Sequence, residues 1–314
     1  MQIAASRKNG RPRGYIDEYR PQAKTLALLN QVYIVLDEYR EHWPLTIRQV
    51  FYRLVGRFDY PKDEAAYERL CTHMSNARRA RRISFDSIRD DGVITLSMNH
   101  FDDVEHFRRH VRGLSENYRK NLMASQPRHI EVWCEAAGMI HQLADVAHDY
   151  SIRVYSSSGF DSTTAKKDIA DRICTIGKPA VILHLGDYDP SGESVFEAMA
   201  EDVKAFVEAD RPWATVDVEF RRTTLTADQV ERYRLPTSPA KSTDSRTKRW
   251  GDRGTCQLEA LAPDEIADIL RAAIDDVIAP FTMEFDRSAE EAERQELTRL
   301  LTFTASREND GGRQ

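Results

Sequence analysis

Two carboxylates, Asp187 and Asp189, stand one residue apart in the run Ala180–Met199. They follow a short apolar stretch, Ala180 to Leu185, which reads as a buried strand after Pro179. Open α/β sheets place ligand sites at the C-terminal ends of their strands, which is where these acids fall. Pro190 suits the first turn of a helix running to about Ala209, with Asp189 as its N-cap. An oxygen-only pair on a tight turn suits Mg²⁺, although the same Asp-Pro-Ser-Gly turn also reads as a plain helix start. A third carboxylate, Glu135, ends another strand-like run, His129–Cys134, ahead of an amphipathic helix to about Tyr150. If βαβ crossovers join these strands, Glu135 comes beside Asp187 and Asp189.

A tyrosine is the second group with chemistry in its surroundings. Thr46 and Gln49 match a capping box and open a helix whose core stripe is Ile47, Val50, Phe51 and Leu54. Tyr52 lies about 150° from the centre of that stripe at 100° per residue. Arg48 sits one turn earlier, within reach of the phenol. A tyrosine held off the core beside an arginine is placed to meet a phosphate, and the arginine favours phenolate. An ordinary half-exposed tyrosine is the plain alternative.

The elements around these residues follow in order. Residues 1–21 read as a flexible basic arm, with Arg7, Lys8, Arg11 and Arg13 among Gly and Pro. Leu26, Leu29, Tyr33 and Leu36 keep helical spacing from Gln22 to His42, and Pro44 ends that helix. A third helix, about Asp63 to Arg82, turns Tyr67, Leu70, Met74 and Ala77 inward and ends in Arg78, Arg79, Arg81 and Arg82. These four arginines read as a phosphate contact surface, although arginine also favours helix C-termini for dipole reasons. Ile83 to Met98, turning at Asp90-Asp91-Gly92, reads as a β-hairpin. Three helices and a hairpin over 22–100 make a winged helix-turn-helix domain. Residues 101–127 are a helical connector, with the helix reaching about Met123, and 128–306 alternate strands and helices as in an α/β domain with a mostly parallel sheet. The Pro/Ser-rich stretch Pro236–Gly254 reads as a basic surface loop carrying Lys248 and Arg249 as DNA-contact candidates, and 307–314 as a disordered tail. The fold class is thus α/β and α+β: a winged-helix domain followed by a parallel α/β domain.

Composition bounds the function. The 314 residues allow two domains with cores of their own. Residues 1–127 hold 22 Lys and Arg against 16 Asp and Glu, a balance of +6; residues 128–314 hold 23 against 35, a balance of −12. A basic half joined to an acidic half fits a DNA-gripping unit beside a metal-binding one. The four cysteines form no Cys-x-x-Cys pair and read as reduced thiols in a cytoplasmic protein. There is no membrane-length apolar run and no phosphate-binding GxxxxGK[ST] loop.

Glu135, then strand, helix and Asp187-Tyr188-Asp189-Pro190-Ser191-Gly192, resembles the Toprim domain of the topoisomerase VI A subunit and of the meiotic double-strand-break transesterase. Leu45-Thr-Ile-Arg-Gln-Val-Phe-Tyr52 resembles that family's segment of an arginine followed by two aromatics, with Phe51 in place of the first tyrosine. The resemblance covers roughly residues 22–280, and the chain's length resembles the compact Mini-A group of mobile elements and viruses. It implies a type IIB topoisomerase-like DNA transesterase in which Tyr52 attacks double-stranded DNA, Arg48 assists, and Glu135, Asp187 and Asp189 hold Mg²⁺. It further implies a homodimer, with tyrosine and metal supplied by different protomers, and a separate ATPase subunit as a candidate partner. A Toprim nuclease using water, with Tyr52 structural, is the second reading. A non-catalytic DNA-binding accessory protein is the third.

Overall fold

Four strands, β1 (His129–Cys134), β2 (Arg153–Ser156), β3 (Ala180–Leu185) and β4 (Val218–Thr224), form one sheet in the order β2-β1-β3-β4, all parallel. The computed structural model describes residues 15–89, 100–157, 162–211, 216–240 and 247–310, without the side chains of 248, 249 and 302–310. The chain is an α/β protein, as its alternating elements predict. Every residue of β3 is buried, as expected of a central parallel strand covered on both faces.

Helices cover the two faces of the sheet. In chain order they are α1 (Ala23–Glu38), α2 (Ile47–Phe58), α3 (Glu64–Arg79), α4 (Val104–Glu116), α5 (Ile140–His148), α6 (Thr163–Ile176), α7 (Pro190–Asp210), α8 (Ala227–Arg232), α9 (Thr247–Trp250), α10 (Pro263–Asp275) and α11 (Pro280–Asp310). Trp133, Ile182 and Val218 on one face pack with Ile169 and Ile173 of α6 and Phe196, Met199 and Val203 of α7. The other face, through Ile130, Val132, Leu183 and Leu185, joins α5, α10 and the N-terminal helices in one continuous core from Leu29 to Met283. The N-terminal unit and the sheet therefore share a core.

Polar ties reinforce that junction. The Thr46–Gln49 capping box forms as predicted. Its glutamine is buried, and Nε2 of Gln49 donates to Oε1 of Gln142 on α5 at 2.7 Å. Nε2 of Gln142 in turn donates to the Pro263 carbonyl at the start of α10. Arg53 donates to the Ala260 carbonyl, and Nζ of Lys62 to the Pro236 carbonyl at 2.7 Å.

Several expectations change. The buried stripe of α1 is Leu29, Val32, Val35 and Leu36; Leu26 is 42% exposed, and Tyr33 is only half-buried, its polar tip favouring water. α1 ends at Glu38, and a 3₁₀ turn at Arg40–His42 precedes Pro44. The connector helix α4 stops at Glu116, where Tyr118, Arg119 and Lys120 turn to meet Glu290 and Glu293 of α11. Of the hairpin expected over Ile83–Met98, the described part is a 3₁₀ turn, Phe85–Ser87, and a single bridge between Ile88 and Leu45; 90–99 lie outside the described residues. In the segment expected to be a disordered tail, α11 runs on to Asp310, and 311–314 lie outside the described residues. Among the described residues no helix is long and apolar enough to cross a membrane.

Candidate active site

The register of β1 and β3 decides where the acids meet. Cys134 is paired with Leu185, so Glu135 and Gly186 leave the sheet side by side, and the Glu135 N–H donates to the Leu185 carbonyl at 2.9 Å. Asp187 follows one residue later, and its N–H approaches Oε2 of Glu135 at 3.4 Å. Asp189 is the N-cap of α7 as predicted, Oδ1 accepting from the Gly192 N–H at 2.7 Å, with Pro190 in the first turn. A Cβ at Gly186 would stand 2.6 Å from Cε1 of His184 and 2.9 Å from Oε2 of Glu135, and one at Gly192 3.0 Å from the same oxygen. Glycine at both places is what lets the Glu135 carboxylate lie between the two turns.

The structure brings Glu135, Asp187 and Asp189 to one cleft of about 640 Å³. Burial raises the carboxyl pKa values of Glu135 and Asp187 above the usual range, and their acidic neighbours raise them further. Oδ1 of Asp187 is held by the Leu258 N–H at 2.8 Å, which works in the opposite direction. Arg222 on β4 lies under the same turn. Its Nε donates to the Leu225 carbonyl at 3.1 Å, and Nη2 donates to the Asp187 carbonyl. Burial works against the Arg222 charge, and Glu193, Glu135 and the two aspartates favour it.

Tyr52 lines this cleft too. The expectation that it is held off the core is overturned: Tyr52 is only 6% exposed and belongs to the main core, whereas Ile47 of the expected stripe is only partly buried, and residues near 257 cover the tyrosine. Its hydroxyl donates to Oε1 of Gln257 at 2.7 Å. Gln257 precedes the Leu258 whose N–H holds Asp187, so two consecutive residues link phenol and carboxylate. The expectation that Arg48 favours phenolate is overturned by burial. Desolvation pushes the phenol above its ordinary range, Cys256 and Glu259 push the same way, and the opposing pull of Arg48 is weaker.

Arg48 faces a second cavity, of about 490 Å³, lined also by Arg89, Glu135, Asp187 and Glu259. Its guanidinium lies 5.4 Å from the centroid of the Tyr67 ring. Burial opposes the Arg48 charge, but Glu259 and Tyr67 outweigh it and hold the group protonated. Glu135 and Asp187 are thus reached from two sides, by Tyr52 on one and Arg48 on the other. Glu259, left out of the predicted catalytic set, is 8% exposed and belongs to the Arg48 side. Gln257 and Lys62, which also lines the Tyr52 cleft, carry no sequence signal, since only the fold brings them there.

The predicted DNA-contact arginines lie away from the cleft, at the end of α3. Arg78 donates to the Ile88 carbonyl at 3.1 Å and stacks 4.7 Å from Phe85. Arg81 stacks 4.2 Å from Tyr15, and Arg82 donates to the Tyr19 carbonyl at 3.2 Å. The Arg79 carbonyl accepts from the Ile16 N–H at 3.0 Å. Residues 15–19, expected to be part of a free arm, therefore dock on this helix end; the arm's basic residues before 15 lie outside the described residues. Arg81 and Arg82 stay exposed.

Lys248 and Arg249 lie on α9, and their side chains are outside the described residues. The loop expected at the surface around them is anchored at both ends. Trp250 is buried against Tyr188, and Tyr188 and Cys256 exchange backbone hydrogen bonds at 2.8 and 2.9 Å.

The donor set fits a hard divalent cation such as Mg²⁺: three carboxylates, oxygen only, about a cradle that a Cβ would fill. That fit is one of donor chemistry alone: among the described residues, no group of three His, Cys, Asp or Glu side chains is placed so that it could hold a metal ion. No protein-family model matches the chain, and no curated protein or solved structure is found similar to it.

Proposed function

We propose that this chain is a DNA transesterase of the type IIB topoisomerase A-subunit kind, cleaving double-stranded DNA through a phosphotyrosyl link at Tyr52. One observation carries the reading: Tyr52 lines the same cleft as Glu135, Asp187 and Asp189. In the reaction the Tyr52 oxygen bonds to a backbone phosphorus, the bond to one deoxyribose oxygen breaks, and that oxygen leaves as a hydroxyl. The proton lost by the phenol balances the one gained by the leaving group. Gln257 orients the phenol but, as an amide, does not take its proton. Glu135, Asp187 and Asp189 would hold Mg²⁺, which when bound neutralises charge on the phosphoryl group and leaving oxygen. Arg48, on the far side of the acids, adds positive charge next to Glu135 and Asp187.

The N-terminal unit is read as a winged-helix DNA-binding module and the second as Toprim-like. α1 to α3 and the Leu45–Ile88 bridge support the first. The acids after β1 and β3 of a parallel sheet support the second. The exposed Arg81 and Arg82 extend a basic surface for phosphates. A homodimer would present two clefts to the two strands, and with no phosphate-binding loop in the chain, strand passage would draw on a separate ATPase subunit.

A hydrolytic Toprim nuclease is the second reading. It is favoured by the buried, hydrogen-bonded state of Tyr52, whose phenol resists ionisation. The deciding experiment incubates the protein with supercoiled plasmid and Mg²⁺, stops with SDS, and probes DNA ends for attached protein. Adducts lost in Tyr52→Phe support the transesterase. Cutting that survives Tyr52→Phe, leaves free ends and disappears in Asp187→Ala supports the nuclease.

A further inference from the structure

The cleft that holds Tyr52 has four carboxylates in its lining, Glu64, Glu135, Asp187 and Asp189, and among the described residues a single cation, Lys62. Lys62 lies between α2 and α3, on the stretch that follows Tyr52 by less than three helical turns of sequence. Its ammonium donates to the Pro236 carbonyl at 2.7 Å and lies 5.8 Å from the centroid of the Tyr52 ring. The Pro236 contact ties it to the segment that continues into Ser238, itself paired with Thr255 in the wall of the cleft. Lys62 forms no ion pair with a described carboxylate.

An ammonium carries three donors. Pro236 takes one, so two remain for whatever enters beside the phenol. A lysine placed among acids without bonding to any of them has its charge unspent. A group that also neutralises this charge would be anionic and would lie against Tyr52. A phosphodiester meets both conditions, since its non-bridging oxygens accept from lysine as from a point charge.

We propose that Lys62 is a phosphate-binding catalytic residue, its ammonium taking a non-bridging oxygen of the phosphodiester presented to Tyr52. This rests on the transesterase reading of the cleft. The carbonyl of Pro236 fixes the stem, so the charge is placed before DNA arrives and needs little reordering when the phosphoryl group gains charge. Burial already lowers the Lys62 pKa, so an arriving anion also relieves an ammonium short of solvent.

The test uses the full chain as wild type, Lys62→Gln and Lys62→Arg, with two readouts. The first is the rate at which SDS-trapped protein–DNA adducts form on plasmid with Mg²⁺. The second is the anisotropy of a fluorescein-labelled duplex across a salt series in EDTA, where no cutting occurs. Lys62→Gln is expected to slow adduct formation by about 10- to 100-fold and to lower the salt slope of binding by about one. Lys62→Arg is expected to keep the slope and most of the rate, because it keeps the charge.

Wild-type rate and slope in Lys62→Gln would overturn the proposal. So would equal impairment of both variants with a shared drop in melting temperature, which would reduce Lys62 to a tether for Pro236. If Lys62→Gln does not fold, Lys62→Met takes its place: a slope lowered by about one supports the contact and a wild-type slope overturns it. If wild type forms no adduct yet the slope falls by about one in Lys62→Gln, the transesterase reading falls while the phosphate contact stands.

Discussion

The Tyr52 hydroxyl donates to Oε1 of Gln257 at 2.7 Å, across 205 residues of the same chain. The next residue, Leu258, gives its N–H to Asp187. Phenol and acid are therefore positioned by one short segment, and the distance between them is set within the chain. Tyr52→Phe removes one hydrogen bond and leaves the ring packed, so it should cost about 0.5–1.5 kcal/mol. Thermal melting should show a nearly unchanged fold while phosphotyrosyl adducts vanish. Adducts persisting in Tyr52→Phe would assign the nucleophile elsewhere.

That intrachain link bears on how a dimer would work. The resemblance implies a tyrosine and a metal from different protomers, and two variants separate the possibilities. Tyr52→Phe mixed with Asp187→Ala, after subunit exchange, should give no adduct if each cleft is complete in its own chain. Recovery of about a quarter to a half of wild-type adduct, as random pairing of two protomers allows, would mean that the tyrosine acts across the interface, with Gln257 holding it only in the free protein.

Asp187 is a carboxylate whose pKa is raised, first by burial and then by Asp189, against the Leu258 hydrogen bond. A raised folded value means that its contribution is present below the ordinary carboxylate range and is lost as pH rises through the folded value. Ionising this acid is thus a strain on the metal-free fold. Asp187→Asn keeps the acceptor for Leu258 and removes that strain. Without Mg²⁺ it should melt at or above the wild-type temperature. Saturating Mg²⁺ should stabilise wild type by about 2.7 kcal/mol at a hundredfold excess over Kd and leave the variant unmoved. Equal Mg²⁺ shifts in both proteins would remove Asp187 from the donor set.

Glu131 offers a stability prediction away from the cleft. It is fully buried on β1 and accepts from Arg172 at 2.7 and 2.9 Å, from the Trp133 indole at 2.9 Å, and meets the His129 ring at 2.9 Å. Burial alone would raise its pKa, but the hydrogen bonds from Arg172, His129 and Trp133 outweigh it and lower the carboxyl to about 2. With a depressed folded value, the stabilisation is present above the unfolded carboxylate pKa, about 4.3, and is lost as pH falls through about 2. Glu131→Ala should cost about 3–5 kcal/mol by leaving Arg172 uncompensated. Its melting temperature should also change less than that of wild type between pH 5 and pH 2, a range taken from the same carboxylate values; an equal acid slope would refute the assignment.

The sequence by itself determined the local chemistry. Thr46 and Gln49 specify the start of α2, Asp189 and Pro190 the start of α7, and the apolar runs before Glu135 and Asp187 two parallel strands, because caps and strand patterns depend on neighbours a few residues away. Helical angle set Tyr52 apart from the α2 stripe, but the expectation of a side chain off the core fails. Only the tertiary structure decided that this off-stripe face is buried, because its cover comes from residues near 257, and helical spacing carries no information about a partner 205 positions away. The same holds for Lys62 and Glu259, isolated charges in the sequence that the shared core brings to the acids. Whether Arg48 or burial governs the Tyr52 phenol was likewise undecidable from spacing, since desolvation is a property of everything packed around a group, and here it wins.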